Sequence, residues 1–487
     1  MQKIKTEGMH LVDETGRERI FNGINIVDKT PYRFKRKSFN FDMRDKILKA
    51  MADKGINLIR LGFTWNKIEP EPGKYNDDYL ESLGEIIDRC EKYGIYVFLD
   101  MHQDLYSPLC HGDGAPDWAT LTDGYKPKRV WFVWSDVYFL SRACHRAFDN
   151  FWNNTSVCEK GLQEHYADCW KHIISKLGNK NGVIGFDFFN EPFPGTDGGK
   201  VFRSLVKQGT YEIITKEHSW KKELFKNLFS QNRTERILNQ IKYELLRDIT
   251  SAGDDIIEKF DNEKYYPFLC RMAKAAEEAG SDKIIFIENS YYSNTGIPFS
   301  TPNVSVNGKQ PMQVFAPHAY DLMVDTPMYK YASSDRVFGI FEEHRRSQER
   351  LSVPVIVGEY GGFGPGKDEE WLSHISEILT LFDKNKWSST YWAYMPGFLR
   401  HPLMKIFVRP HPYAVNGEIE KYGYDTEKKI FTLTFRSNRD GESEIFVPSV
   451  PKSINFDGYV MENTLSENEH IILIPSGEGN HSLRIEL

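Results

Sequence analysis

The chain has 487 residues, and its 62 basic against 69 acidic residues leave a formal charge of −7, which offers no global attraction to a phosphate backbone and argues against a nucleic-acid partner. Apolar residues make up 40% and charged residues 27%, ordinary globular usage that excludes a disordered or fibrous chain. Aromatic residues reach 14%, more than packing alone recruits, and broad aromatic faces are platforms on which sugar rings stack.

The sequence opens on a polar stretch, Met1-Gln-Lys-Ile-Lys-Thr6, and contains no run of about 18 apolar residues of the kind that crosses a bilayer. As written it is expected to be soluble and cytoplasmic, or secreted where a leader has been removed. Its six cysteines form no Cys-x-x-Cys pair and are expected to be reduced and mostly buried.

Eight short apolar runs follow one another along the chain: Ile20–Ile26, Asn57–Leu61, Tyr96–Met101, Val183–Phe189, Lys283–Ile287, Gln313–Ala316, Pro354–Gly358 and Ser389–Ala393. Amphipathic segments such as Phe41–Lys54, Asp77–Tyr93 and Leu162–Leu177 separate them, an α/β alternation that predicts a (β/α)8 TIM barrel over residues 1–402. Two interruptions are longer than connections need to be. Gln103–Asn154 is rich in Gly, Pro, His and Trp, and residues 201–262 mix charges at helical spacing, which predicts an inserted helical hairpin. From 403 to 487 short alternating runs, Lys405–Val408, Phe431–Arg436, Glu444–Val447, Ile471–Ile474 and Ser482–Ile485, predict a small C-terminal antiparallel β-sandwich.

Chemistry collects where apolar runs end. Gly185-Phe-Asp-Phe-Phe-Asn190-Glu191-Pro192 carries a buried strand directly into a carboxylate, whose desolvation raises its pKa and suits a general acid. Pro354-Val-Ile-Val-Gly-Glu359-Tyr-Gly-Gly362 ends a second strand the same way. A lone strand-end Glu is as readily an ion-pair residue. Two of them, on the fourth and seventh strands, face each other across a barrel mouth, where one can protonate a departing glycosidic oxygen and the other can serve the anomeric carbon. Their separation, which divides retention from inversion, is not written in the sequence.

These segments resemble glycoside hydrolase family 5, and within it the endoglycoceramidase-related branch. The strand ends carry the pattern in order: Arg60 in Ile-Arg-Leu-Gly, His102 in Asp-Met-His-Gln-Asp, Asn190-Glu191-Pro192, His318 and Tyr320 in Pro-His-Ala-Tyr-Asp, Glu359 in Gly-Glu-Tyr-Gly, and Trp392 in Tyr-Trp-Ala-Tyr. The narrower likeness rests on Met-His-Gln-Asp-Leu-Tyr-Ser107, His111-Gly-Asp-Gly-Ala-Pro-Asp-Trp118 and Phe148-Asp-Asn-Phe-Trp152, and on the β-rich tail. It implies a retaining mechanism with Glu359 as nucleophile and Glu191 as acid/base. Arg60 and Tyr320 would stabilise the Glu359 charge, and Asn190 would hold the sugar 2-hydroxyl. Lys29, His102, Asp104, Trp152 and His318 would complete the substrate-binding set, with Trp392 as the floor under the sugar. His102, Asp104 and His318 have metal-ligand chemistry, but the resemblance implies neither metal nor cofactor.

The implied substrate is a glycosphingolipid, met in transient contact with a lipid or detergent surface by a monomer that needs no obligate protein partner. An apolar groove for the ceramide is expected from Trp131–Leu140, Ile297-Pro-Phe299 and Met395–Leu399. The alternatives are the same chemistry on steryl or other non-ceramide glycosides, and a non-catalytic glycan-binding protein on a hydrolase scaffold.

Overall fold

The computed structural model describes residues 1–31, 38–128, 134–215, 241–324, 326, 329–362, 371–462 and 470–487. The eight predicted runs form parallel strands: Asn22–Val27, Leu58–Phe63, Tyr96–Met101, Val183–Asp187, Ile284–Ile287, a split sixth strand (Gln313–Phe315 and His318–Ala319), Ile356–Tyr360 and Ser388–Tyr391. The split closes the cylinder. Gln313–Phe315 pairs with the fifth strand and His318–Ala319 with the seventh, while the Phe315 amide donates to the Pro354 carbonyl (3.0 Å) and the Gly358 amide to the Pro317 carbonyl (3.0 Å). Pro317 has no N–H to give the ladder, so the strand breaks there, and the apolar run ending at Ala316 marks only its first half.

Strands covered on both faces are buried at every position, as in Tyr96–Met101, which explains their continuous apolar runs. The helices bury one stripe. In Asp77–Lys92 that stripe is Tyr79, Leu80, Leu83, Ile86, Ile87 and Cys90. The Asn76 side chain caps it by accepting from the Tyr79 amide (3.2 Å), and acids in its first turn and bases in its last complement the helix dipole.

The predicted sandwich is present, with two corrections. Its five-stranded sheet runs Glu418–Asp425, Ile430–Ser437, Gly479–Glu486, Ser453–Phe456, Tyr459–Met461 in spatial order. The opposing sheet joins His411–Val415, Gly441–Phe446 and Ile471–Ser476 to three strands from the N-terminus, Ile4–Glu7, His10–Asp13 and Glu18–Arg19. The three strands of the first 19 residues, which the 1–402 division assigns to the barrel, therefore lie in the sandwich sheet, because Glu18–Arg19 pairs with His411–Val415, while Ile4 and Leu11 bury against the barrel floor beside Leu58, Tyr96 and Ile184. Lys405–Val408 is no strand either: Met404–Phe407 is a helical turn that buries Phe407.

The first long interruption contains the helices Asp136–Leu140 and Arg142–Trp152, and the second contains Thr196–Thr215, Tyr243–Thr250 and Asp254–Phe260. Residues 216–240 of the predicted hairpin lie outside the described residues. All six cysteines are free, with Cys90, Cys110, Cys144 and Cys169 buried and Cys158 exposed.

Candidate active site

At the carboxyl ends of the strands the side chains converge on one guanidinium. Arg60, fully buried, donates to Glu359 (2.7 Å), Asp187 (2.9 Å) and Glu288 (2.6 Å), lies 3.0 Å from Asp100, and also donates to Asn25 and Asn190. A planar fork with five donors can serve that many acceptors at once, which an ammonium cannot. Burial and the Glu288 charge push Asp187 well above the usual carboxylate range, whereas His318 and Arg60 outweigh burial and hold Glu288 down at about 2. Replacing Arg60 by Leu is expected to cost about 3–5 kcal/mol, because it strands buried carboxylates without their counter-charge. Urea unfolding should show a smaller loss at acid pH than at alkaline pH, since protonated carboxyls tolerate burial better.

Glu359 leaves the seventh strand with both oxygens engaged, Oε1 by Arg60 and Oε2 by the Tyr320 hydroxyl (2.8 Å). Glu191 sits four residues beyond the end of the strand Val183–Asp187 with φ of 44°, a left-handed conformation that costs a non-glycine residue about 1–3 kcal/mol. The position is held from several sides: its amide donates to Glu288 (2.6 Å), and Gln103 donates to the carbonyls of Asn190 (2.8 Å) and Glu191 (3.3 Å). Its Oε1 accepts from Asn294 (2.6 Å) and lies 3.3 Å from His318 Nδ1. Burial raises the Glu191 pKa and the Glu359 charge adds to that rise, with His318 opposing. One oxygen of each glutamate and a nitrogen of His318 lie within 4.8 Å of one another.

Both glutamates open on one cleft of about 610 Å³. One arm is polar. Trp392, joined to Ala393 by a cis peptide, lies parallel to the His102 ring at 5.2 Å, with Lys29 Nζ 4.3 Å from its centroid. Lys29 also binds Asp104, which it holds far below the usual range despite burial. His102 bonds Asp100 (2.9 Å) and is raised to about 9, since the acids outweigh burial and Lys29. The other arm is apolar, lined by Trp134, Phe139, Phe202, Leu205, Leu322 and Val324.

Of the expected set, Lys29, His102, Asp104, Asn190, Tyr320 and Trp392 line the cleft with the two glutamates. Arg60 and His318 lie behind the glutamates and touch them without forming the cleft wall. Trp152 is elsewhere: its indole N–H donates to the Phe193 carbonyl (2.7 Å) and its rings pack on Phe189, Phe260 and Phe268, so it belongs to the core beneath the Glu191 loop. Ile297 and Phe299 are core residues too, and Met395–Leu399 does not reach the cleft. Trp131–Val133 lie outside the described residues, and Trp134, Ser135 and Phe139 line the cleft. Glu288 and Asn294, which the sequence reading passes over, touch Glu191 directly. Glu288 carries the same signal as Glu359, an apolar run ending in an acid, in Ile284-Ile-Phe-Ile-Glu288.

Among the described residues, three groups offer metal-type ligand atoms: His102, Asp104 and Asp113; Glu191, His318 and Glu359; Asp100, Asp187 and Glu288. Each already has a cation against it, Lys29 on the first, Arg60 on the second and third. The charge that a metal would supply is provided by side chains.

The family model Cellulase (glycosyl hydrolase family 5) matches residues 12–397, and the glycoside hydrolase family 5 C-terminal domain matches 409–485. The chain belongs to glycoside hydrolase family 5. An endoglycoceramidase of Hydra vulgaris is 34% identical over 97% of this chain and 86% of its own. Endoglycoceramidase I of Rhodococcus hoagii is 29% identical over 94% and 82%. Endo-glycoceramidase II from Rhodococcus sp., solved as a ganglioside GM3 complex, superposes with a TM-score of 0.72 at 20% identity over 99% of each chain, a likeness of fold. This family 5 enzyme thus shares both its barrel and its C-terminal unit with those proteins.

Proposed function

We propose that the enzyme hydrolyses the β-linkage between the sugar headgroup and the ceramide of a glycosphingolipid, with retention. The observation that carries this reading is the pair of carboxylates with oxygens within 4.8 Å of each other, in a cleft lined by both polar and apolar side chains. Glutamates this close match the ~5–5.5 Å carboxyl separation of retaining glycosidases; inversion needs ~6.5–9.5 Å for an intervening water.

Glu359, anionic between Arg60 and Tyr320, attacks the anomeric carbon while Glu191 gives its proton to the departing ceramide oxygen. The glycosyl ester on Glu359 is then cleaved by water, which Glu191 deprotonates, and the proton returns to Glu191. Asn190 donates one amide hydrogen to the Gln103 carbonyl (3.0 Å) and has a second for the sugar 2-hydroxyl. Trp392 and Lys29 serve the sugar, and the apolar arm takes the lipid at the surface of a membrane or micelle.

The test is hydrolysis of a detergent-dispersed glycosphingolipid followed by proton NMR: ceramide and a β-configured sugar should appear first. No ceramide release, or preference for a flat steryl glycoside, would defeat the ceramide assignment. Phe139→Ala should raise KM for the ceramide glycoside about tenfold, through lost apolar contact, while a water-soluble aryl glycoside is turned over as before.

A further inference from the structure

Phe139 and Phe202, stacked with centroids 4.7 Å apart, wall the apolar arm on one side and a second cavity of about 760 Å³ on the other. Arg142, Arg146 and Arg203 surround that second cavity. Arg146 is occupied by Asp123 (2.6 Å) and Asp149 (2.8 Å). Arg142 and Arg203 are exposed and form no ion pair among the described residues; Arg142 instead lies 4.1 Å from the centroid of the Tyr125 ring. In a chain of net charge −7, three guanidiniums against the two carboxylates of Asp123 and Asp149 leave one excess positive charge here. Apolar side chains stand exposed on the cavity rim, Leu140 at 42% and Tyr125 at 36%.

Each half of this surface has a distinct physical meaning. Guanidinium forks match phosphate oxygens with paired hydrogen bonds. Exposed aromatic and aliphatic side chains next to basic ones insert at the boundary between headgroups and acyl chains. A soluble anion would use the arginines and leave the apolar rim in water. A bilayer surface uses both. None of the described helices is long and apolar enough to cross a membrane.

We propose that this cavity binds the phosphate headgroup of an anionic phospholipid and so seats the apolar arm of the cleft on the membrane beside its lipid substrate. The inference rests on the glycolipid reading for its purpose, and its test does not need glycolipid. The intact enzyme is sedimented with phosphatidylcholine vesicles, or with vesicles about one third phosphatidylserine, neither containing glycolipid. Binding should require the anionic lipid and weaken as salt is raised. The double variant Arg142→Gln/Arg203→Gln should lower partitioning about thirty-fold, while turnover of a soluble fluorogenic β-glycoside is unchanged, which also reports a native fold.

Equal binding to both vesicles, or a double variant that binds like the parent, overturns the proposal. Displacement from vesicles by inorganic phosphate beyond that caused by chloride of equal ionic strength is expected, because free phosphate competes for the same guanidinium forks. Anionic vesicle binding without ceramide release in the glycolipid assay would defeat the functional reading and leave this one standing.

Discussion

Glu359→Gln is expected to lower kcat on any β-glycoside by on the order of 10⁴-fold or more, because the amide cannot attack the anomeric carbon. The fold should survive. Arg60 keeps its contacts with Asp100, Asp187 and Glu288, so the substitution removes one of four acidic partners and leaves the buried cation paired. A 2-fluoro-2-deoxy β-glycoside with a good leaving group should label the parent enzyme at Glu359, seen as one added sugar mass on the peptide that contains it. No label should form on the variant. Substantial residual turnover, or label on another residue, would reassign the nucleophile.

The second large effect is expected at Glu191, and it should depend on the leaving group. A ceramide alkoxide cannot depart without a proton, so Glu191→Gln should slow its release by about 10²–10⁴-fold. A dinitrophenolate departs unaided, so with that substrate the first step should stay near the parent rate and the slow step becomes hydrolysis of the glycosyl-enzyme. Azide, which attacks without base assistance, should then accelerate turnover and yield the β-glycosyl azide. The pH profile supplies an independent check. Burial raises the Glu191 pKa, and only its protonated form donates, so parent activity on ceramide glycosides should decline as pH rises through that raised value. The variant should lack this alkaline limb. An unchanged limb would show that another group supplies the proton.

Much of the site was legible because a barrel strand leaves a simple trace, an apolar run that ends at a chemically active residue. Glu191, Glu359, Arg60, His102 and Trp392 all follow such runs, and the structure brings them around one cleft or against its walls. Glu288 has the same trace and was passed over, since nothing local distinguishes an acid that faces substrate from one that holds Arg60 and the Glu191 amide. Trp152 shows the converse error. A motif places it near Glu191 in function, yet its indole supports the Phe193 carbonyl from within the core. The sixth strand was half found because Pro317 interrupts both the apolar run and the ladder.

By itself, then, the sequence determined the barrel, the sandwich after it and the identity of the two facing glutamates, because strand periodicity and strand-end chemistry are local properties of the chain. Only the tertiary structure decided how near those glutamates stand, which side chains Arg60 gathers from four different strands, and that the first 19 residues cross over to complete the sandwich. Each of these depends on where segments distant in sequence come to rest, and through-space distances and burial have no counterpart in local pattern.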